Sequence, residues 1–437
     1  MHLLAGEHAH ARRPRGARRG HRGRARVRAG PRAGGGLRRL PLPRRLRGPP
    51  RARGRARGRG PLLSVRARRA PRPRLGGGAR RGPAEDGQRV HDAGVGALRA
   101  PRAEPAPRPA VAPAPPRALY LELTNRCDSA CQTCIRTFRA LEPPADLPLA
   151  RVRAIVEGLP ALERVVLHGI GEPLLNREIF DIVAFLKARG ATVLFNSDAI
   201  SLTAPRAARL IESGLDEYRV SMDAATPETY RRLRGVDRFD RVVENVHRLV
   251  ALERERGGAP PRVSLWFTAS RANLEELPAF VELAARVGAP AVHVQRLVWN
   301  GLGLATRENS LHGALAARER TLLAEAEARA REAGVALSAS GLAAPLASLG
   351  GGPNGARPWA GCERPWTLAY VTANGSVLPC CISPWVARDY EGLVLGNAFA
   401  EPLAAIWNGE RYRRFRARFE SATAPDPCRG CGRLWSL

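Results

Sequence analysis

The first 117 residues contain no Phe, Trp, Tyr or Cys; all 23 aromatic residues and all eight cysteines lie from Tyr120 onward. Acidic residues are scarce there too. Five of them (Glu7, Glu85, Asp86, Asp92 and Glu104) stand against 32 Arg, which gives +27 of the +31 carried by the 437-residue chain. The remaining 320 residues hold 39 basic and 35 acidic groups, a net of +4. A stretch without aromatics and with dense like charge cannot bury enough apolar surface to offset its ordering entropy. The folded protein is therefore expected to begin near residue 118, and residues 1–117 to form a disordered leader. Lysine is nearly missing: Lys187 stands beside 70 Arg, which fits codon usage better than a functional choice. No apolar run approaches the roughly 18 residues that a membrane-spanning helix needs. Composition likewise excludes collagen and coiled coil.

Three readings compete for Arg-rich segments such as Arg51–Arg59. One is a solvated extension without function. A second is a tail that neutralises phosphates on nucleic acid without sequence preference. The third is a targeting signal, because Arg12-Arg13 and Arg18-Arg19 are pairs; no apolar region of 7–15 residues follows either, and such signals need one. The first is the expectation, nucleic acid is not expected as a partner, and removal of residues 1–115 is expected to leave folding and activity intact.

From residue 118 short apolar runs alternate with amphipathic stretches. Six runs read as strands: 118–123, 164–168, 192–196, 217–222, 263–269 and 291–297. Helical periodicity falls on 177–189, 204–213, 239–252 and 274–287, and Gly190, Gly214 and Gly288 stand where a helix C-terminus favours glycine. Residues 314–334 predict one more helix, and 349–358 a Gly- and Pro-rich linker. Repeated right-handed βαβ units imply an α/β fold with a parallel, curved sheet, a partial (β/α)6 TIM-like barrel. Such folds place their chemistry at the C-terminal ends of the strands. The expected organisation is a leader (1–117), a core domain (118–305), a helix and linker (306–357) and a small cysteine- and Trp-rich domain (358–437).

The cysteines form two groups: Cys127, Cys131 and Cys134 directly after the first strand, and Cys362, Cys380, Cys381, Cys428 and Cys431 near the C-terminus. A disulfide scaffold is unexpected in an α/β body of this size without a secretion signal. Zinc is a rival for thiolates at such spacings. Three thiolates in one loop, with no nearby His, can instead each hold one iron of a 4Fe–4S cube, which leaves the fourth iron open.

Cys127-x3-Cys131-x2-Cys134 after strand one of a β/α repeat resembles the signature of radical S-adenosylmethionine enzymes. The resemblance implies that S-adenosylmethionine chelates the open iron through its amino and carboxylate groups. An electron from the cluster then cleaves the sulfonium to methionine and a 5′-deoxyadenosyl radical, which takes a hydrogen atom from the substrate. His168-Gly-Ile-Gly-Glu-Pro173 resembles the family's glycine-glycine-glutamate-proline segment, with Ile170 in place of a usual glycine. There Gly169 and Gly171 would permit close backbone approach, and Glu172 would receive the methionine ammonium. Asn196, in Phe195-Asn-Ser-Asp198, sits where relatives carry a turn near the cofactor. Ser221 and Asp223, in Ser-Met-Asp, are the further candidates for cofactor contact, and Thr226-Pro227 fits a helix start. His168, Gln295 and Arg296 face the same end of the barrel without an assigned role, and no catalytic side chain is named. His247, His293 and His312 show no metal-ligand pairing.

The C-terminal segment resembles the SPASM iron–sulfur module that follows this core in many maturases. Cys362, twelve residues, Gly375, four residues, Cys380 fits its first half; Leu395-Gly-Asn397 and Ile406-Trp-Asn408 resemble its linking segments; Cys428-x2-Cys431 begins its second half. The full module binds two auxiliary clusters. Here Cys362, Cys380, Cys428 and Cys431 suffice for one auxiliary 4Fe–4S cluster, with Cys381 as a spare that could replace Cys380. An electron-transfer role is expected for it, with a structural staple or zinc as alternatives. The expected function is a radical S-adenosylmethionine oxidoreductase or maturase acting on a peptide or protein in the cytoplasm, reduced by a ferredoxin or flavodoxin. Dehydrogenation of a sugar or aminocyclitol is the alternative reaction. A non-catalytic iron–sulfur or zinc scaffold with a nucleic-acid-binding tail is the alternative of another class.

Overall fold

The computed structural model describes residues 108–257, 261–311, 315–341, 343–350, 357–386, 388–429 and 431. His312 and most of the expected leader and linker lie outside the described residues. Six parallel strands carry the core: β1 (Ala118–Leu121), β2 (Arg164–Leu167), β3 (Thr192–Ser197), β4 (Glu217–Ser221), β5 (Arg262–Ala269) and β6 (Ala291–Arg296). They pair in chain order, β1 to β6, each with the next. Every expected strand is present to within two residues at either end. Helices Ile179–Ala188, Ala204–Glu212, Pro227–Arg234, Phe239–Glu255 and Leu277–Val287 alternate with them. Gly190, Gly214 and Gly288 take positive φ at helix ends. Thr226 caps its helix, its hydroxyl accepting from the Thr229 amide at 3.3 Å. The expected 274–287 helix is divided: Leu274–Glu276 is a tight 3-10 turn before Leu277, because Pro278 fits the first turn of a new helix better than an interior.

Among the described residues the sheet has ten strands, four beyond those expected. On one edge β7 (Ala336–Ala339) runs parallel to β6; on the other β8 (Leu368–Val371) runs parallel to β1, and β9 (Ser376–Leu378) and β10 (Gly396–Asn397) continue antiparallel. Ala-Leu-Ser-Ala contains no β-branched or aromatic residue, so β7 gives no strand signal of its own. The sheet thus runs unbroken past residue 305 and into the C-terminal segment, and Tyr120 of β1 stands opposite Tyr370 of β8.

The expected start at residue 118 is corrected by ten residues. Residues 108–117 pack on the C-terminal segment through hydrogen bonds. Trp366 donates to the Pro109 carbonyl at 2.7 Å, and Trp407 to that of Ala114 at 2.8 Å. Asn408 exchanges two bonds with Ala112, and the Arg108 guanidinium reaches the Cys362 carbonyl at 2.8 Å. A Pro- and Ala-rich segment without aromatics finds its partners in the two Trp indoles, which no local pattern reveals. A chain beginning at 108 is therefore expected to melt like the full chain. One beginning at 118 should lose on the order of 5 kcal/mol, at about 1 kcal/mol net per hydrogen bond. Denaturant unfolding of the two truncations checks this, and it narrows the tolerated deletion from residue 115 to residue 107.

Candidate active site

The cysteine loop follows β1 and is pinned on three sides. Leu147 donates to the Leu123 carbonyl at 2.8 Å and closes the loop behind the strand. Ala130 and Gln132 donate to the carbonyls of Arg234 and Leu233 at 3.0 and 2.8 Å, which ties the loop to the Pro227–Arg234 helix. Ser129 donates to the Asp198 carboxylate at 2.7 Å, beyond β3. Cys127, Cys131 and Cys134 all open onto one cavity of about 240 Å³ at the C-terminal ends of the strands. Burial pushes their thiols up to about 12, 12 and 11. The loop is therefore protonated at neutral pH until a metal displaces the protons.

Gly169, Gly171, Glu172, Asn196, Ser221 and Asp223 line the same cavity, as do His168, Gln295 and Arg296. The fold thus gathers every expected core-site residue around the three thiols, from the ends of β2, β3, β4 and β6. The glycines serve the loop itself. A Cβ on Gly171 would lie 2.0 Å from the Thr124 carbonyl oxygen, and one on Gly169 would lie 2.3 Å from the Glu122 side chain. This close approach lets the segment after β2 lie directly on the cysteine loop. Ile170 keeps its amide useful, donating to Glu122 at 2.8 Å.

Glu172 is a buried hub. Its carboxylate accepts from the Leu174 amide (2.9 Å), the Ser197 hydroxyl (2.8 Å) and the Asp198 amide (2.8 Å). Burial and the neighbouring Asp198 hold it well above the usual carboxylate range, and burial raises Asp198 to about 6. An ammonium placed between these acids would favour their ionised forms. Asp223 adopts φ 64°, a left-handed conformation that costs a non-glycine residue, and is held there by Asn273 donating to its carbonyl at 2.9 Å. Its carboxylate pairs with Arg234 at 2.9 Å and accepts from the Thr268 amide at 2.6 Å. Arg234 and Asp198 were not singled out as site residues in the sequence; only packing of the helix against the cysteine loop brings Arg234 to the cavity. Burial, with Arg219 adding repulsion, lowers His168 to about 4, so it is neutral, stacked 6.0 Å from Trp385. His293 also lines the cavity, whereas His247 is exposed on its helix.

Glu122 ties this region to the C-terminal segment, accepting from Ile170, from the Tyr370 hydroxyl (3.1 Å) and from the Ala373 amide (3.4 Å). Burial raises its carboxyl to about 7 from an ordinary 4.5. Its contribution to stability is therefore full below about pH 4.5 and is lost as pH rises through about 7, on the order of 3 kcal/mol in all. Glu122→Gln keeps an acceptor for Ile170 and Tyr370 and is expected to flatten that slope. Unfolding free energies measured from pH 4.5 to 8 check it; an unchanged slope in the variant would assign the dependence to other groups.

A second cavity, of about 20 Å³, is lined by Cys362, Cys380, Cys428 and Cys431 among Trp359, Phe415 and Phe419. Cys381 is not among them. It points the other way, into the larger cavity with Ile382 and Trp385, so the structure groups Cys380 with the other three. Arg364 borders both cavities. Zinc would draw its thiolates to within about 4 Å of one another at Zn–S distances near 2.3 Å. Among the described residues the group of three or more donors within 4.8 Å of one another is Cys127, Asp128 and Asp198, so neither thiol set is gathered that closely. Three thiols around one cavity and four around another suit iron–sulfur cubes, whose ligands bind separate irons. Among the described residues no helix is long and apolar enough to cross a membrane.

Comparison with known proteins agrees with this geometry. Residues 121–259 match the Radical SAM superfamily, and residues 362–432 match SPASM, an iron–sulfur cluster-binding domain. The chain is 26% identical to PqqA peptide cyclase of Gluconobacter oxydans, over 74% of this chain and 84% of that protein. It is 28% identical to PqqA peptide cyclase of Streptomyces rochei, over 72% and 81%. Among solved structures, Streptococcus suis SuiB bound to S-adenosylmethionine superposes with a TM-score of 0.55 at 18% identity, over 73% of this chain and 71% of SuiB. The complex of SuiB with its precursor peptide SuiA superposes with a TM-score of 0.51 at 17% identity, over 73% and 70%. A partial parallel barrel with three loop cysteines at its C-terminal end and a cysteine-lined extension make the same statement: the chain carries a radical S-adenosylmethionine domain and a C-terminal SPASM domain and is an enzyme, with iron–sulfur clusters and S-adenosylmethionine as its cofactors.

Proposed function

We propose that this enzyme modifies a peptide or protein substrate by hydrogen abstraction in the larger cavity. A reduced cluster held by Cys127, Cys131 and Cys134 would supply the electron for cleavage of S-adenosylmethionine to methionine and a 5′-deoxyadenosyl radical. The observation that carries the peptide reading is the similarity to PqqA peptide cyclases across 81–84% of their length. On this reading Cys127, Cys131 and Cys134 hold the S-adenosylmethionine cluster, and Glu172 and Asp198 face the cofactor's ammonium. Ser221, Asn196 and the Asp223–Arg234 pair orient the remaining polar atoms of the cofactor. Glu122 and the two glycines fix the loop, and Trp266, Trp385 and Ile382 keep water from the reacting atoms.

Cys362, Cys380, Cys428 and Cys431 hold one auxiliary cluster. With four protein ligands such a cluster would have no iron open to substrate and would supply electron transfer, either toward the first site or by accepting the electron of the substrate radical. A ferredoxin or flavodoxin in the cytoplasm is the matching reductant for an oxygen-sensitive open cluster. The test is anaerobic incubation of the loaded enzyme with S-adenosylmethionine, a strong reductant and short peptides encoded beside its gene. A mass loss of two hydrogens in one of them, dependent on S-adenosylmethionine, is expected. Turnover of a sugar or aminocyclitol and of none of the peptides would contradict the peptide reading.

A further inference from the structure

The larger cavity is electrostatically lopsided. Beside the cysteine loop it is acidic, with Glu172, Asp198 and Asp223 all buried and Arg234 as their cation. That end suits a ligand bearing ammonium and sulfonium charge. The rest of the lining is basic: Arg164 is 7% exposed, and Arg219 and Arg296 are each 5% exposed. Arg219 donates to Glu217 at 2.8 Å and lies 4.5 Å over the Trp266 ring, so its charge is met. Arg364 borders both cavities, beside Cys362 and Cys381, and is left to the cysteine-lined site.

Arg164 and Arg296 have no such match. Among the described residues the Nε of each is buried without a partner, and neither guanidinium forms a salt bridge or side-chain hydrogen bond. Burial lowers both below the ordinary guanidinium range, Arg296 to about 10; at Arg164, Tyr120 and Glu217 oppose this while Arg219 and Arg364 add repulsion. A buried cation left unpaired costs several kcal/mol, roughly, where a paired one costs far less. For Arg164, beside Arg219, a ligand that brings the counter-charge accounts for the arrangement.

We propose that the basic part of the cavity binds an oxyanion of the substrate, a carboxylate or a phosphate, through Arg164 beside Arg219. Arg164 opens β2 and Arg219 lies mid-β4, with β3 between them. On β3 they stand opposite Thr192 and Asn196, so their backbones are roughly 16 Å apart. The two side chains reach toward each other across β3, near enough for the Arg219 charge to act on Arg164. The planar guanidinium fork matches the oxygens of either anion. The identity of the oxyanion as an acidic group of a peptide rests on the proposed function; the site itself does not.

The test uses the full-length, cluster-loaded, oxidised protein saturated with S-adenosylmethionine, titrated calorimetrically with glutarate, inorganic phosphate and neutral glutaramide. Glutarate or phosphate is expected to bind and glutaramide not, with added chloride weakening the binding. Arg164→Gln and Arg164→Met are expected to weaken it by at least about tenfold, and Arg296→Gln, away at the end of β6, by much less. Without ligand, Arg164→Met should melt at a higher temperature than wild type, because an unpaired buried charge has gone; a structural arginine would give the opposite shift. Preference for glutarate identifies a carboxylate site, and preference for phosphate a phosphate site; either supports the proposal. It is overturned if neither anion binds, if the Arg164 variants bind as tightly as wild type, or if the anion binds only when S-adenosylmethionine is left out. Binding of glutarate through Arg164 without modification of any peptide would leave the anion site standing and remove the peptide reading.

Discussion

Cys131→Ala is expected to abolish cleavage of S-adenosylmethionine, a loss of at least about a thousandfold or ~4 kcal/mol of barrier. Cys131 is the middle thiol of the loop and opens on the cavity beside Asp223 and Arg234. Without it the loop offers two thiols, and a cube held by two ligands is not retained. The loop itself should persist, since its anchors to Leu123, Arg234 and Asp198 use backbone amides and Ser129, not the thiol. Iron and sulfide per chain should therefore fall by about half, to the content of the auxiliary site, while the far-ultraviolet spectrum stays unchanged. Serine at the same position is expected to rescue little. Cleavage at wild-type rate in the alanine variant would remove the cysteine loop from the chemistry.

The second large effect separates two adjacent cysteines. Cys380→Ala is expected to lose the auxiliary cluster and with it product formation. Cys381→Ala should keep the full iron content and cost about 1 kcal/mol as a trimmed buried contact. The contrast follows from the fold: Cys380 lines the small cavity with Cys362, Cys428 and Cys431, and its thiol lies 3.2 Å from the Ser383 hydroxyl, whereas Cys381 faces the larger cavity. In Cys380→Ala the melting temperature should also fall, because binding energy of a structural metal site is folding energy. Iron analysis with thermal unfolding of both variants decides the matter. Loss of half the iron in Cys381→Ala, with retention in Cys380→Ala, would reverse the ligand assignment.

What was legible in the sequence was what local periodicity and spacing encode. The six core strands alternate with helices that end on Gly190, Gly214 and Gly288, so their order and hence the strand ends could be read directly. Cys127-x3-Cys131-x2-Cys134 falls within one loop, where sequence neighbours are spatial neighbours. What escaped depends on partners distant in the chain. β7 carries no β-branched residue and is a strand only because β6 offers an open edge. β8 pairs with β1 across some 250 residues of chain, as Tyr120 opposite Tyr370 illustrates. Residues 108–117 resemble the leader in composition, and the Trp366 and Trp407 indoles that hold them lie 257 and 293 residues away from their partners. Arg234 and Arg164 were invisible as site residues for the same reason, since a charge reveals its role only when its surroundings are known. Glu172 was legible as a site residue, but its engagement of Ser197 and two backbone amides was not.

The most direct measurement is formation of 5′-deoxyadenosine. The full-length protein is reconstituted anaerobically with iron and sulfide, both clusters are verified as loaded, and S-adenosylmethionine is added with a strong reductant. Formation of 5′-deoxyadenosine and methionine, absent from Cys131→Ala, is the result this account predicts. A fully loaded protein that binds S-adenosylmethionine but never cleaves it would contradict the account and leave a non-catalytic iron–sulfur scaffold in its place.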